Sequence, residues 1–399
     1  MRVENDIRLW NRQFVVLLLI NLAGSFSFYM IATTLSKYLV SIGISITFAG
    51  VIVGLFSLTS LICRPISGVI ADRVNNKKLL RISYFLMCVG LLGFAITTNS
   101  QMLILFRILN GIGFAFSGTC QMSMAARMIP KKRMGEGIGY IGLGMVIGSA
   151  VAPGVGLVLS ETIGMKGTFL IAAGLTLLAV ALSYILDEQE KKCTLRKVKF
   201  TDIIAPEAIP YTYVAGMFSF ANGVIASYLV MFTDELGIKG ISAYYSVYAV
   251  VLFITRPLSG KLMDKKGICY TVIPGLFLGT ISMFLLGSST TYISILITAA
   301  IRAIGQGAAQ PSLQAGCVAK LGKDRSGVAT STFYLGGDIC QGIGPIIGGA
   351  IIGAFVGIKG YSLIFYFCGF LLVAATGYFI VYSFNGRTKS QNQKNRTCF

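Results

Sequence analysis

Long apolar segments recur along the chain and are separated by short polar connectors. Each segment is roughly 20–30 residues long, and a helix needs about 20 apolar residues to cross the ~30 Å hydrocarbon core of a bilayer. The segments are continuously apolar and do not alternate with a period of two, which favours helices over a membrane barrel. The pattern predicts twelve transmembrane helices, numbered here as spans 1 to 12, over residues 14–40, 46–71, 79–97, 102–128, 136–159, 166–187, 206–233, 241–263, 269–289, 291–319, 326–353 and 361–384.

The longest polar connector divides the spans into two groups of six. It covers residues 188–205 and is rich in charge. We therefore expect an all-α integral membrane protein with one six-helix bundle at 1–187 and another at 206–384. A cytoplasmic linker at 188–205 joins them, and a basic cytoplasmic tail follows at 385–399. Span 1 is too long for the apolar region of a cleavable signal, so we expect it to be retained.

Composition supports a membrane protein and excludes several other classes. Only 12% of the residues are charged, against about 25% in a typical soluble domain. The mean hydropathy is +0.76. The chain has no histidine, which removes the commonest general base and metal ligand. Its nine cysteines include no C-x-x-C pair, so we interpret them as free thiols. We expect no catalytic residue, no metal site and no cofactor.

The balance of charge is strongly basic, with 34 Lys and Arg against 15 Asp and Glu. In a soluble protein this would favour nucleic-acid binding, but here the basic residues lie mainly in the connectors. If the N-terminus is cytoplasmic, 26 basic residues lie on the cytoplasmic side and four on the other. By the positive-inside rule we expect a plasma-membrane protein with both termini in the cytoplasm. Its partner is then the lipid bilayer and not a nucleic acid.

The two groups of spans repeat one another. Residues 64–72 read RPISGVIAD and residues 256–264 read RPLSGKLMD, at an offset of 192. The same offset relates Pro153 in span 5 to Pro345 in span 11. Several unusual residues at one spacing indicate a duplicated six-helix unit and two pseudo-symmetric bundles, as in many secondary transporters.

Two motifs in the first half carry a family resemblance. One is Gly68-x-x-x-Asp72-Arg73-x-x-x-Lys77-Lys78 after span 2, and the other is Arg107-x-x-Asn110-Gly111-x-Gly113 in span 4. Both resemble motifs of the major facilitator superfamily. The resemblance implies a secondary transporter with the twelve-helix major facilitator fold.

Spans 5 and 11 resemble the glycine- and proline-rich motif of that superfamily's drug:proton antiporters. The matching residues are Gly139, Gly148, Pro153 and Gly156 in span 5 and Gly344, Pro345, Gly348 and Gly349 in span 11. Ala152 and Leu157 depart from the motif. The resemblance implies antiport, whereas the residues alone would also serve close helix packing.

The loop motif after span 2 recurs after span 8. Gly68 allows close helix approach, and the Asp72 carboxylate can cap the positive N-terminus of a neighbouring helix or pair with an arginine. The resemblance implies a conformational latch of Gly68, Asp72 and Arg73, with Gly260 and Asp264 in the corresponding contact. A tight turn anchored by topology-determining charge is the alternative.

Asp338 is the one acidic residue near the middle of a predicted span. It lies about twelve residues into span 11, or ~18 Å at 1.5 Å per residue. A charged side chain at that depth is costly unless paired or hydrated, and a low-dielectric setting favours the protonated form of a carboxyl group. Asp338 is therefore the candidate for proton coupling or substrate binding. A permanent structural pair with Arg302 is the alternative.

Polar residues inside the spans predict a central substrate cavity, because lipid-facing positions do not tolerate them. In span 10 polar residues recur every four positions and form one stripe, from Arg302 to Gln314. The predicted cavity residues are Asn21, Tyr29, Arg107, Asn110, Asn222, Arg302, Gln306, Gln310, Tyr334 and Gln341. Any one of them would also serve as a polar contact between helices.

These features predict a secondary active transporter that exports a small amphipathic or drug-like molecule in exchange for protons by alternating access. No G-x-x-x-x-G-K-[ST] loop occurs, which disfavours an ATP-driven pump. The alternative is a proton-coupled transporter of an anionic or zwitterionic metabolite, such as an amino acid, a sugar acid or a metallophore. It is favoured by the two intramembrane cations, Arg107 and Arg302, against one acid. Nothing in the sequence requires an oligomer, so we expect a monomer.

Overall fold

The computed structural model describes residues 9–32, 34–187, 203–238, 241–355 and 357–396. Within these ranges the chain forms thirteen α-helices and a few short 3-10 turns, with no β-strand. The helices are α1 Arg12–Ala32, α2 Leu35–Ser41, α3 Ile46–Arg73, α4 Asn76–Ile96, α5 Ser100–Met128, α6 Met134–Thr162, α7 Gly164–Ser183, α8 Ile209–Glu235, α9 Ser242–Lys266, α10 Cys269–Gly287, α11 Tyr292–Leu321, α12 Ser326–Gly353 and α13 Ile358–Arg396. The predicted all-α fold is confirmed.

Eleven helices within the described ranges are long and apolar enough to cross a membrane, judged by length and composition. The helix that corresponds to predicted span 8, α9, falls short because it carries three tyrosines and five charged residues. At 25 residues it still has the length that a membrane-spanning helix requires.

The first predicted span is divided in the structure. The sequence predicts one helix over 14–40, whereas α1 ends at Ala32 and α2 begins at Leu35. The Thr34 hydroxyl donates a hydrogen bond to the carbonyl of Ile31 at 3.4 Å.

The regions around the predicted linker and tail are described only in part. Residues 188–202 of the predicted linker lie outside the described residues. At the C-terminal end, α13 continues to Arg396, well beyond the predicted end of span 12 at residue 384. Over the part described here, the predicted basic tail therefore continues as a helix.

Asparagine side chains fix the starts of two helices at connectors. Asn75 Oδ1 accepts hydrogen bonds from the backbone N–H groups of Lys77 (2.9 Å) and Lys78 (3.2 Å) and begins α4. Asn99 Oδ1 accepts from the backbone N–H of Gln101 at 2.9 Å and begins α5. These side chains satisfy N–H groups that the first turn of a helix leaves without partners.

The contacts divide the chain into two compact units. Unit 1 is Met1–Pro206 with Cys317–Leu335, and unit 2 is Glu207–Gly316 with Gly336–Phe399. In unit 1, large apolar side chains such as Phe94 and Phe169 pack in the core. In unit 2, Phe218, Phe232 and Phe365 are fully buried. The end of α11 and the start of α12 thus pack with the first half of the chain.

Candidate functional site

A buried polar cluster in unit 2 is centred on the guanidinium of Arg302. Arg302 is 4% exposed in α11. Its Nη2 donates a short hydrogen bond to Asn222 Oδ1 of α8, and its Nη1 donates to the hydroxyl of Tyr244 of α9 at 3.4 Å. The guanidinium also lies 5.1 Å from the centroid of the Tyr248 ring, in cation–π contact. Neutral side chains of α8 and α9 therefore surround the Arg302 cation of α11.

The cluster continues along α11 as a chain of side-chain hydrogen bonds. The Tyr248 hydroxyl donates to Gln306 Oε1 at 2.8 Å, and Gln306 Nε2 donates to Gln310 Oε1 at 2.8 Å. Gln306 is 4% exposed and Gln314, one turn beyond Gln310, is 8% exposed. The four-residue spacing seen in the sequence thus becomes a connected, largely buried ladder. A satisfied network of this kind orders its members.

The sequence did not single out the two tyrosines that complete this cluster. Tyr244 and Tyr248 are one turn apart in α9, and Tyr244 is 1% exposed. Their four-residue spacing was available as a signal, because residues i and i+4 of a helix share one face.

Asp338 lies at the centre of α12, thirteenth of its 28 residues, and its side chain is half-buried. The other acidic residues within the described ranges lie near helix ends or between helices. The Arg302 guanidinium, which is the partner in the alternative of a fixed structural pair, bonds to Asn222 and Tyr244. Farther along α12, Gln341 is exposed.

Unit 1 contains a second polar network, which links α1, α4 and α5. Asn21 Nδ2 donates to Gln121 Oε1 at 2.6 Å. Gln121 Nε2 donates to the hydroxyl of Tyr84, which in turn donates to the carbonyl of Ile20 at 3.2 Å. Tyr84 and Gln121 are buried, so these hydrogen bonds satisfy groups that would otherwise be costly to enclose.

Arg107 is a buried cation in α5 with no acidic partner among the described residues. It is 5% exposed, its Nη2 donates to the carbonyl of Val53 at 3.3 Å, and its guanidinium lies 4.6 Å from the centroid of the Phe56 ring. Its Nε atom is buried without a hydrogen-bond partner. A small cavity of about 10 Å³ adjoins Arg107 and Asn110, and Asn110 Nδ2 donates to the carbonyl of Met87 at 3.4 Å.

An aromatic cluster lies beside Arg107. The Phe28, Phe56 and Phe114 rings are mutually 4.7–5.1 Å apart between centroids. The Tyr29 ring meets the Phe28 ring edge-on at 5.0 Å. These contacts place apolar aromatic faces next to a buried guanidinium.

Arg64, a buried arginine of α3, joins the same region. Its guanidinium lies 4.7 Å from the Tyr334 ring centroid and 5.7 Å from that of Phe114. The sequence showed Arg64 only as part of the internal repeat and did not place it in the cavity. Its burial at 6% exposure was not readable from the sequence.

The Asp72 carboxylate, near the end of α3, caps the N-terminus of α12. Asp72 Oδ1 accepts from the backbone N–H of Gly327 at 2.7 Å, and Oδ2 accepts from that of Val328 at 2.9 Å. A Cβ atom at Gly68 would overlap the Ser331 hydroxyl, so only glycine allows this approach of α3 to α12. Arg73 is half-buried beside Asp72. In the repeated motif in α9, Gly260 is buried and Asp264 is half-buried.

A lysine that the sequence did not highlight makes a complementary contact close by. Lys323, between α11 and α12, donates from Nζ to the carbonyls of Arg127 (3.0 Å) and Ile129 (3.1 Å) at the end of α5. A cation suits the negative C-terminal end of a helix, as a carboxylate suits the N-terminal end. Buried hydroxyls of Ser123 and Ser326 meet at 3.0 Å between the same two segments.

The glycines of α6 pack against α1. A Cβ at Gly144 would overlap Asn21 Oδ1, and one at Gly156 would overlap the Met30 carbonyl. A Cβ at Gly148 would lie 3.0 Å from Ser25. The half-buried Pro153 lies inside α6, and Gly139 is buried.

The corresponding glycines of α12 pack against α8. A Cβ at Gly344 would lie 2.6 Å from the Phe220 carbonyl, and one at Gly348 or Gly349 would meet the Tyr228 ring or hydroxyl. The Tyr228 hydroxyl donates to the carbonyl of Pro345 at 2.6 Å. These small residues therefore allow close contact of α6 with α1 and of α12 with α8, as expected of helices in lipid.

Comparison with known proteins identifies the family. The chain matches the model of the Major Facilitator Superfamily over residues 17–345. The multi-drug resistance efflux pump PmrA of Streptococcus pneumoniae is 24% identical, with 80% of this chain and 82% of that protein covered. Multidrug resistance protein 1 of Bacillus subtilis is 27% identical, with coverage of 76% and 80%. An uncharacterised MFS-type transporter of Methanocaldococcus jannaschii is 26% identical, with coverage of 79% and 85%.

Solved structures agree in fold. The human organic anion transporter MFSD10 superposes with a TM-score of 0.77 at 13% identity, covering 92% of this chain and 99% of that one. The transporter FucP in its outward conformation gives 0.77 at 15% identity, with 93% and 99% covered. The predicted resemblance is confirmed: the chain belongs to the major facilitator superfamily, and it is a multi-pass membrane transporter of small molecules and not an enzyme.

Proposed function

We propose that this transporter exports a small amphipathic or drug-like molecule across the plasma membrane in exchange for protons, by alternating access. Both termini lie in the cytoplasm in this proposal, the two six-helix halves repeat one another, and a single copy suffices. The efflux pump PmrA, at 24% identity, supports the direction, and PmrA and multidrug resistance protein 1, at 27% identity, support the substrate class.

The observation that carries the proposal is the place of Asp338. A carboxyl group at the middle of a membrane-spanning helix is costly to keep charged. Acidic residues at this depth mark substrate pathways and proton relays. Asp338 is thirteenth of the 28 residues of α12, and the Arg302 guanidinium is occupied by Asn222 and Tyr244.

The exchange then follows from the charge of one side chain. Protonation from the outside neutralises Asp338 and releases the outgoing molecule, and deprotonation on the cytoplasmic side restores the binding state. The Asp72 contact with the first turn of α12 would hold one state and part in the other, as the family resemblance implies. The packed glycines of α6 and α12 would let helix pairs move as units.

An Asp338→Asn variant tests the assignment in inverted vesicles with an imposed pH gradient. Asparagine keeps the size of the side chain and removes its titration, so uptake driven by the gradient should fall to background. Exchange of labelled for unlabelled substrate at equal pH on both sides should persist, because it needs no net proton movement. The matched control is Glu161→Gln, which neutralises an exposed acid at the end of α6 and should leave both activities intact. Unchanged gradient-driven transport in Asp338→Asn would end the assignment.

A second candidate substrate class is an anionic or zwitterionic metabolite. It is favoured by Arg107 and Arg302, which are 5% and 4% exposed and contact only neutral groups among the described residues. A substrate carboxylate would give either guanidinium a charged acceptor, from which a buried guanidinium gains most. A panel of lipophilic cations and organic acids in the same vesicles separates the two classes. Gradient-driven uptake confined to acids, and lost in Arg107→Gln, would favour this second class.

A further inference from the structure

An apolar groove runs along one face of α13 in unit 2. It has a volume of about 510 Å³, and its lining includes Phe284 of α10, Phe355 between α12 and α13, and Leu363, Tyr366, Phe367 and Phe370 of α13. Its size lies within the ~300–1,000 Å³ typical of small-molecule sites. Phe355 and Phe370 are 49% and 64% exposed, so the groove is open along its length.

The lining leaves little for a polar ligand to bind. Tyr366 supplies the only polar side-chain atom among the lining residues, and its hydroxyl is already hydrogen-bonded to Ser288 Oγ at 2.9 Å. The part of a ligand that enters the groove must therefore be hydrocarbon. In a bilayer the surrounding lipid tails are equally apolar, so selection of one molecule has to come from packing and from its polar end.

A cation stands at one end of the groove. Lys359 precedes Leu363 by four residues, Tyr366 by seven and Phe370 by eleven, which places all four on one face of α13. At 1.5 Å per residue, the lysine lies ~16 Å along the helix from Phe370. Lys359 is exposed and forms no ion pair with a described residue. An exposed acid, Glu235, lies near this end of the groove. Its Oε1 atom is 3.5 Å from the point where a Cβ atom on Gly357 would lie.

The first half of the chain contains the same lysine turn followed by smaller side chains. Residues 164–167 read GMKG and residues 357–360 read GIKG, and Gly164 and Gly357 both have positive φ values, 76° and 66°. The second turn follows the first by 193 residues. At this offset, α7 has Ala173, Gly174 and Leu177 in place of Tyr366, Phe367 and Phe370. A Cβ at Gly174 would have nothing within 4 Å. The turn in the first half thus lacks these three aromatic side chains of the groove.

We propose that the groove along α13, next to Lys359, binds one anionic phospholipid. Its phosphate would contact the Lys359 ammonium, and one acyl chain would lie along α13 between the aromatic side chains. A lysine ammonium forms a charge-assisted hydrogen bond with a lipid phosphate, and the aromatic groove fixes the position of the acyl chain. The site is independent of the transported substrate and of Asp338.

The test is native mass spectrometry of the purified full-length protein in detergent doped with phosphatidylglycerol or with phosphatidylcholine of the same acyl chains. We expect preferential retention of one phosphatidylglycerol. Lys359→Gln should lower its retention about fivefold, equivalent to ~1 kcal/mol for one lysine near an anionic lipid, and Lys359→Arg should keep it. Leu363→Trp, which fills the groove, should lower the retention with Lys359 intact.

Lys166→Gln is the matched control, because it removes the same charge from the same turn where smaller side chains follow. Equal losses in Lys166→Gln and Lys359→Gln would overturn the proposal and leave only general attraction by interfacial lysines. Equal retention of the two lipids, or unchanged retention in Leu363→Trp, would overturn it as well. Circular dichroism of each variant ensures that lost binding is not lost folding.

Discussion

Asp72 holds the first turn of α12 through the backbone N–H of Gly327, which lies 2.7 Å from Asp72 Oδ1. Its second oxygen accepts from the N–H of Val328 at 2.9 Å. The first N–H groups of a helix have no partner within the helix and carry partial positive charge. One carboxylate therefore satisfies two such groups and ties the end of α3 to the start of α12.

Asp72→Asn should loosen this contact. Asparagine retains one acceptor oxygen but loses the charge and the second acceptor, which we expect to weaken the contact by about 1–2 kcal/mol. Maleimide labelling of Ser331→Cys, in a background without other cysteines, should become several-fold faster because Ser331 packs beneath the contact. Asp324→Asn removes an exposed charge close to the same helix end and should leave labelling unchanged. Equal labelling rates in the two variants would refute a specific role for Asp72.

Gly68→Ala should disrupt the same approach of α3 to α12 by steric overlap. Its Cβ would overlap the Ser331 hydroxyl and lie 3.0 Å from the Gly327 carbonyl. Overpacking of this kind costs about 1–3 kcal/mol, and thermal unfolding in detergent should show the loss. The control in the same helix is Gly54→Ala, where a Cβ would have nothing within 4 Å.

A second substitution distinguishes steric overlap from a change in helix propensity as the cause of the stability lost in Gly68→Ala. Adding Ser331→Gly to Gly68→Ala removes the atoms that the new methyl group would meet, so part of the lost stability should return. No recovery in this double variant would show that the glycine is needed for another reason.

Gly156→Ala should destabilise the packing of α6 on α1, whereas Gly154→Ala should not. A Cβ at Gly156 would overlap the backbone carbonyl of Met30, which cannot rotate away, while a Cβ at Gly154 would have open space. We expect a loss of about 1–3 kcal/mol for the first variant and a change near zero for the second. Thermal unfolding of the two variants side by side measures this, and similar melting temperatures would contradict the packing role.

Arg302→Lys should weaken substrate binding although it keeps the positive charge. A lysine ammonium cannot bond to Asn222 and Tyr244 and stack on the Tyr248 ring in the arrangement that the guanidinium adopts. Loss of one charged hydrogen bond costs about 1.5–3 kcal/mol, so the Kd for substrate should rise at least about tenfold.

Arg81→Lys provides the comparison for this prediction. Arg81 also combines a hydrogen bond, to Ser183 Oγ at 3.2 Å, with an aromatic stack, 3.8 Å from the Tyr184 ring centroid. It lies near the start of α4, outside both polar networks, so its replacement should not change the Kd. If both variants bind substrate like the unmodified protein, the Arg302 cluster is structural only.

For several polar contacts, one of the two partner residues can be recognised from the sequence and the other cannot. The four-residue stripe of α11 was visible because periodicity along one helix is a property of the sequence. Tyr244 and Tyr248 were missed because their role depends on which face of α9 meets α11. Nothing in the sequence around Lys323 shows that its ammonium reaches the carbonyls of Arg127 and Ile129.

The sequence by itself determined the membrane-spanning helices, the internal repeat and the family, because continuous hydrophobicity and short motifs are properties of contiguous residues. The tertiary structure decided which groups meet: Asp72 with the backbone of α12, and Arg302 with Asn222. It also decided which glycines are essential, since Gly154 and Gly156 are alike in sequence and differ only in what packs against them. Contacts between residues far apart in the chain depend on how helices pack, and the pattern along a single helix does not contain that information.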